Sequence, residues 1–283
     1  MFGAAGEDRL HLNILRIKTI PLLACIAVVG TPLAAHAQTV VNLGTASTFA
    51  VLGASTVTST GFTVLNGDLG TSPGTAITGF GPGVVHGTTY SAGAVTFQAQ
   101  ADALVAYNSI VSQSATTTTS AAAIFATTTL ASGVYNAPSS LGISGTLTLD
   151  GGGNPNAMFL FQTGSTLTFA VASEVLLANG ARAENVYWQV GSSATLNASS
   201  SIVGTILANQ SITAGAGVAV NGRLIGLNAA VTLDNNSVSV PMSAIPEPAT
   251  TSLLVGGVLG LMIGARRYWQ RRSAHTAAAT TAR

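Results

Sequence analysis

Gly145-Thr-Leu-Thr-Leu-Asp150, Ser165-Thr-Leu-Thr-Phe-Ala170, Ala194-Thr-Leu-Asn-Ala198, Ser211-Ile-Thr-Ala214 and Ala230-Val-Thr-Leu-Asp234 repeat one short pattern. In each segment a polar residue, mostly threonine, alternates with a larger apolar one. Alternation with a period of two is typical of a strand that has one buried and one solvent-exposed face. We therefore predict that one sheet presents a column of exposed threonines. The members of this predicted column are Thr148, Thr168, Thr195, Thr213 and Thr232.

Two further sets of strand-like segments lie between these repeats. One set has a composition typical of strands and includes Glu174–Leu177, Ser201–Val203 and Val218–Val220. The other is apolar on both faces and contains Met158–Phe161, Val186–Trp188, Thr205–Leu207 and Arg223–Ile225. Three strands in roughly twenty residues, separated by Gly, Asn, Ala and Ser, are what one coil of a three-sided β-solenoid requires.

The region 97–113 has a different periodicity. Phe97, Ala101, Leu104, Asn108 and Val111 recur at intervals of three or four residues, which predicts an amphipathic helix. A strand that is apolar on both faces needs a cover on its outer side. We therefore expect the helix to lie along the apolar strand set and to leave the threonine-bearing flank open. In detail, Phe97, Leu104 and Val111 are expected to pack against Phe159, Phe161 and Trp188.

The composition restricts the chemistry of the protein. Charged residues make up only 7% of the 283 residues, and 47% are apolar. Between residues 38 and 245 the net charge is −4, from two arginines and six acidic residues. A mildly acidic surface disfavours binding to nucleic acids, which requires a basic face.

The residues give little support to catalysis. His86 is the one histidine between residues 38 and 245, and the six acidic residues are scattered singly along the chain. No pair of carboxylates and no cluster of metal ligands is suggested by the spacing. The acidic residues are predicted to serve in turns or caps. We expect no enzymatic activity, no metal and no cofactor.

The N-terminal residues 1–37 are predicted to be a signal peptide. Arg9, Arg16 and Lys18 precede the apolar stretch 20–33, and Ala35-His36-Ala37 supplies a small-x-small cleavage site. A membrane helix is the alternative, but the stretch is short and is interrupted by Pro21, Gly30 and Pro32. Cys25 also hints at a lipoprotein signal. The mature protein would contain no cysteine, and hence no disulfide.

The body of the chain resembles a known family over about residues 42–240. The resemblance is carried by residues 67–80, by Gly133-Val-Tyr135, by Asn185-Val-Tyr-Trp-Gln189 and by Val220-Asn-Gly-Arg223. These segments are similar, in order, to the ice-binding-protein-like family of microbial β-solenoids. The resemblance implies a right-handed solenoid with one long helix alongside, which binds ice through a flat face. We expect residues 38–243 to form this domain.

The physical chemistry of a threonine column is compatible with ice as the ligand. On one face of a strand, residues i and i+2 lie about 6–7 Å apart, and neighbouring rungs lie about 4.8 Å apart. Threonines on such a grid hold hydroxyl and methyl groups at regular spacing, and their stiff side chains lose little entropy on ordering. The alternative is that threonine is simply a common residue on an exposed strand. If the column is not the site, the strand set around Ser200, Ala219 and Asn221 is the next candidate.

The C-terminal segment 244–272 differs from the body of the chain in composition. Pro246-Glu247-Pro248 is followed by the apolar run 249–265 and by the basic cluster Arg266, Arg267, Arg271 and Arg272. This order resembles the bacterial PEP-CTERM sorting signal, which implies an exosortase-type partner enzyme. Seventeen residues of helix span roughly 25 Å, which is just enough for a thin bilayer. The arginines would stop transfer on the cytoplasmic side. The tail, 273–283, is expected to be disordered.

The sequence thus predicts an all-β fold with one long helix, a right-handed three-sided β-solenoid, and a C-terminal transmembrane helix. We expect an exported protein, anchored in the inner membrane and then sorted to the cell surface or extracellular matrix, that binds ice or ordered water. The alternative function is a structural or adhesion protein of the same fold that holds exopolysaccharide and has no ice activity. Nucleic acid is not an expected partner.

Overall fold

The computed structural model describes residues 40–119 and 122–241. These residues form parallel strands that stack in coils, with three strands in a complete coil. The strands make three ladders, which we name the open face, the helix face and the third face. The three-sided arrangement predicted from the alternating segments is therefore observed.

The open face is a sheet of eight short strands. In spatial order they are Ala76–Thr78, Thr56–Thr60, Val231–Asp234, Ile212–Ala214, Ala194–Leu196, Leu167–Phe169, Leu141–Ile143 and Ala123–Phe125. Their apolar side chains point into the solenoid, as Leu167, Phe169, Leu196 and Ile212 show by being fully buried.

The other two faces belong to one branched sheet of fifteen strands. The helix face runs through Thr89–Ser91, Asp68–Thr71, Phe49–Gly53, Ala219–Gly226, Ser201–Ala208, Val186–Val190, Phe159–Thr163, Gly133–Ala137 and Thr117–Thr118. The third face runs through Val84–Val85, Val64–Asn66, Ser237–Ser239, the same Ala219–Gly226 and Ser201–Ala208, then Glu174–Ala178, Thr146–Asp150 and Thr128–Ala131. Two long strands are thus shared by both faces.

The two shared strands pass from one face to the other at stacked glycines. Gly204 pairs with Gly222 on the next rung, and a Cβ atom on Gly222 would lie 1.8 Å from the carbonyl oxygen of Gly204. Only glycine therefore allows the two backbones to approach so closely at this corner.

The first coil of the chain, residues 49–66, lies between the second coil, residues 68–91, and the last coil, residues 219–239. Phe49–Gly53 pairs with Asp68–Thr71 on one side and with Ala219–Gly226 on the other. Thr56–Thr60 likewise pairs with both Ala76–Thr78 and Val231–Asp234. The beginning and the end of the solenoid are therefore neighbours in space, although they are more than 170 residues apart in sequence.

The helix α1, Ala94–Val111, connects the second coil to the strand Thr117–Thr118 at the other end of the helix face. Its 18 residues correspond to about 27 Å, or between five and six rungs at about 4.8 Å each. It packs against Leu160, Tyr187, Leu207 and Ile225 of the helix face. The predicted flank is correct, and the observed helix begins three residues earlier than the predicted 97–113.

The predicted buried side of the helix is wrong. Phe97, Leu104 and Val111 are 70%, 48% and 52% exposed. The helix instead buries smaller residues, Thr96, Ala99, Ala103, Ala106 and Ile110. Both sides of this helix are apolar, so hydropathy does not distinguish them, and the alanine-rich side is the one that allows close packing on a sheet.

The predicted partners of the helix are also corrected. Phe159, Phe161 and Trp188 point into the solenoid, and the alternating neighbours Leu160 and Tyr187 face the helix. Inside, the rings of Phe161 and Trp188 stack with centroids 4.0 Å apart. The indole nitrogen of Trp188 donates a hydrogen bond to the carbonyl of Val203 at 2.9 Å. These residues therefore stabilise the core and not the helix contact.

Candidate ice-binding face

Four of the five predicted threonines form one column on the open face. Thr168 pairs with Thr195, Thr195 with Thr213, and Thr213 with Thr232. All four are exposed, whereas the residues on either side of each are buried. The pleat of each strand thus aims these side chains at solvent.

The column extends further than the sequence predicted. Thr232 pairs with Thr58 of the first coil, and Thr58 pairs with Thr78 of the second. The hydroxyls of Thr58 and Thr232 lie 3.4 Å apart. Six threonines therefore occupy six consecutive rungs. The local signal for the missed pair is the alternation in Thr56-Val-Thr58 and Ala76-Ile-Thr78.

Thr148 does not belong to this column, which corrects the prediction. It lies on the third face, where it pairs with Thr129 and Leu176. The position that it was expected to fill on the open face is occupied by Gly142, which pairs with Thr168. Two strands of the same coil, Leu141–Ile143 and Thr146–Asp150, follow each other closely, and the second has the clearer alternation.

A second column runs beside the threonines, two residues earlier on each strand. It contains serine or threonine at Ser140, Thr166, Ser193, Ser211 and Thr56, and alanine at Ala230 and Ala76. The hydroxyls of Ser211 and Ser193 are 3.0 Å apart, as are those of Thr166 and Ser140. The open face is therefore a two-column array of small side chains, most of which carry a hydroxyl group, spaced about 6–7 Å along the strands and about 4.8 Å between them.

The two columns are uncharged. Asp234, at the outer edge of its strand, accepts a hydrogen bond from Thr60 at 3.0 Å. The third face differs, because it presents Glu174, Asp150 and the apolar Leu176 to solvent. The neutral, regular array is thus made by the two columns of the open face, with Asp234 at its edge.

The open face ends at a corner that turns in the same way on successive coils. The residues there adopt positive φ angles, between 53° and 75°. They are Gly61, Asn235, Gly217, Ser199, Ala172 and Gly145. Three of the six are not glycine, although this conformation costs an L-residue about 1–2 kcal/mol. The repeated turn keeps the strands of the open face in register at the cost of this local strain.

The column loses its regularity at one end. Beyond Thr168 the rungs carry Gly142 and then Ile124, which is 72% exposed. The regular part of the array therefore extends from Thr78 to Thr168.

Three ionisable side chains, those of Asp102, Asp150 and Arg223, are held by hydrogen bonds within the fold. The backbone N–H of Thr45 and the side chain of Gln98 lower the pKa of Asp102 below its usual value. The backbone N–H of Gly152, followed by the side chain of Asn179, lowers the pKa of Asp150. Arg223 is buried, which lowers its pKa, and it donates hydrogen bonds to the carbonyl of Ser47 and the hydroxyl of Thr205. Within residues 40–119 and 122–241, no three His, Cys, Asp or Glu residues are grouped as metal ligands.

Comparison with known proteins identifies the family. The family model described as ice-binding-like matches residues 51–239, which span all three faces and the helix. The chain belongs to the ice-binding-like family.

Members of the ice-binding-like family resemble this chain over most of its length. An ice-binding protein from Nostoc sp. (strain HG1) is 40% identical over 259 residues, covering 88% of this chain and 96% of the relative. The crystal structure of an ice-binding protein from the Antarctic ascomycete Antarctomyces psychrotrophicus has a TM-score of 0.70 at 40% identity, covering 72% of this chain and 100% of that one. An ice-binding protein structure from an Antarctic biological consortium has a TM-score of 0.71 at 42% identity, with 75% and 96% covered.

The predicted terminal segments lie outside the described residues. These are the signal peptide 1–37, the sorting motif Pro246-Glu247-Pro248, and the arginines at 266, 267, 271 and 272. In the part of the chain that the structure describes, no helix has the length and hydropathy needed to cross a bilayer.

Proposed function

We propose that this protein binds ice through the open face. The observation that carries the proposal is the in-register column of six threonines, Thr78 to Thr168, beside a second column of small residues, most of which carry a hydroxyl group. Membership of the ice-binding-like family supports it. The predicted activities are antifreeze activity and inhibition of ice recrystallisation.

The proposed mechanism rests on the regular spacing of the threonines and on the stiffness of their side chains. Five of the six threonines stand on strands that are hydrogen-bonded to a neighbour on both sides, and Thr78 stands on the edge strand Ala76–Thr78. The residues that flank the central threonines, such as Leu196 and Ile212, are fully buried. The hydroxyl and methyl groups are thus held on a fixed grid before ice arrives, and β-branched side chains have few rotamers to lose. Each contact is weak, and adhesion comes from many contacts made together.

A matched pair of substitutions tests the proposal. Thr213→Tyr puts a bulky ring in the middle of the open face, whereas Thr148→Tyr puts the same ring on the third face. We expect the first variant to lose most of its thermal hysteresis and its partitioning into ice, and the second to keep both. Circular dichroism checks that both remain folded. Equal activity of the two variants would exclude the open face as the site.

We further propose that the protein is exported and held at the cell surface or in the extracellular matrix. The support is the order of segments in the sequence, with a signal-like N-terminus and Pro-Glu-Pro, an apolar run and an arginine cluster at the other end. In this proposal an exosortase-type enzyme recognises Pro246-Glu247-Pro248 and releases the domain from its membrane helix. Retention in exopolysaccharide without ice activity is the alternative function.

The sorting proposal is tested by an epitope tag at the C-terminus. Surface or released wild-type protein is expected to lack the tag, and Glu247→Ala is expected to stay in the membrane with the tag intact. Recovery of both proteins outside the cell with their tags would show that the segment is not a processed signal.

A further inference from the structure

A polar groove lies at the corner where the helix face turns towards the open face. It has a volume of about 420 Å³, within the usual range of small-molecule sites. One wall is the C-terminal half of α1, and the floor is made by the ends of the strands Phe159–Thr163 and Val186–Val190. The side chains that carry its chemistry are Tyr107, Asn108, Asn136, Gln162 and Gln189.

Three of these amides are stacked and fixed in place. Asn136, Gln162 and Gln189 occupy one register position on three successive rungs. The nitrogen of Gln162 donates to the carbonyls of Ile110 and Gln113 at 2.7 and 2.8 Å, and its oxygen accepts from Asn136 at 3.2 Å. The nitrogen of Gln189 donates to the Tyr107 hydroxyl at 2.7 Å. The groove is therefore built before any ligand enters.

The lining selects a class of ligand by its charge. None of the described residues that line the groove is a lysine, arginine, histidine, aspartate or glutamate. A phosphate or carboxylate ligand would find no cation there, and a metal ion would find no carboxylate. A ligand that fits this groove is consequently uncharged.

The hydrogen-bonding groups of the lining match a ligand that carries several hydroxyl groups. The exposed amide of Asn108 and the partly buried amide of Asn136 both donate and accept hydrogen bonds, which matches neighbouring hydroxyl groups that do the same. The buried Gln162 and Gln189 fix the floor beneath them. The partly exposed ring of Tyr107 and the side chain of Val111 add an apolar surface suited to the C–H face of a sugar ring. We propose that this groove binds a neutral saccharide chain.

This proposal does not depend on ice binding, because the Thr78–Thr168 column does not line the groove. A saccharide held here would join the protein to a neutral polysaccharide while the threonine array stays on the neighbouring face. The two activities are therefore separable by substitution.

Affinity electrophoresis of the purified full chain tests the groove. Gels contain dextran, pullulan or hydroxyethyl cellulose as neutral probes and alginate as the anionic one. We expect retardation in at least one neutral gel and none in alginate, and at least about a fivefold weaker apparent affinity for Asn108→Ala and Tyr107→Ala. Asn108 is exposed on the helix, so its replacement leaves the core intact.

Two controls make the outcome decisive. Asn221→Ala removes an exposed asparagine from the third face and should bind saccharide like the wild type. Thr213→Tyr should lose ice adsorption and keep saccharide binding, while Asn108→Ala should do the reverse. The proposal is overturned if no neutral gel retards the protein, if alginate alone does so, or if Asn108→Ala binds as well as Asn221→Ala.

Discussion

The orientation of helix α1 predicts opposite effects for two large apolar residues that lie six positions apart. Ile110 is fully buried against the helix face, whereas Leu104 is 48% exposed on the outer side of the helix. Truncation of Ile110 to alanine leaves a cavity between the helix and the sheet. Truncation of Leu104 to alanine removes atoms that already contact water.

The expected losses in free energy of unfolding follow from this difference in burial. Ile110→Ala removes three buried carbon atoms, each contributing about 0.8 kcal/mol, or about 2.4 kcal/mol in total before the cavity is counted. With the cavity, the loss in free energy of unfolding should be about 3–4 kcal/mol, inside the range of about 2–5 for such changes. Leu104→Ala leaves no closed cavity and should cost less than about 1 kcal/mol.

Thermal unfolding followed by circular dichroism measures both effects. For a domain of this size, 1 kcal/mol corresponds to about 2–4 °C in Tm. Ile110→Ala should therefore lower the Tm by about 6–16 °C, and Leu104→Ala by less than about 4 °C. If Leu104→Ala is the more damaging of the two, the helix presents its other side to the sheet and the described packing is incorrect.

Two further predictions concern the corner and the helix. Gly222→Ala should destabilise the fold by about 1–3 kcal/mol or more in chemical denaturation, because its Cβ atom would overlap the Gly204 carbonyl. Gly81→Ala is the control, because a Cβ atom there meets nothing within 4 Å, and it should change the free energy of unfolding by less than about 0.5 kcal/mol. An equal loss in the two variants would contradict the close approach of the backbones at Gly204 and Gly222. Asp102 has a lowered pKa in the folded state, so its contribution to stability is present above its unfolded pKa of about 3.9 and is lost as the pH falls below it. Asp102→Asn should accordingly lose less stability than the wild type between about pH 5 and 3 in urea titrations, and parallel curves would rule out this linkage.

The sequence allowed the architecture to be predicted because it depends on local patterns. Alternation with a period of two marks the strands, and the doubly apolar segments around Leu160 and Tyr187 indicate the flank that the helix covers. The family resemblance over about residues 42–240 agrees with the matched region.

The details that were mispredicted depend on information that a local pattern does not contain. Thr148 alternates like the column residues, but alternation does not tell which of three faces a strand joins. Leu104 is more apolar than Ala103, yet the smaller residue is buried because side-chain volume decides how closely a helix approaches a sheet. Thr58 was missed because its place beside Thr232 follows from pairing between segments 174 residues apart.

The insertion of the first coil between the second and the last has a consequence for how the protein acquires its binding surface. Most solenoids can fold by adding one repeat to the next, since each repeat touches only its sequence neighbours. Here the strand that contains Thr58 pairs with the strand that contains Thr232, which is synthesised near the end of the domain. This pairing therefore cannot form until most of the domain has been made. Contacts of such high sequence separation slow folding, because a long loop must close before they form. A chain that is truncated or still emerging from the ribosome would therefore lack the junction between Thr58 and Thr232. The uninterrupted column is a property of the completed chain alone.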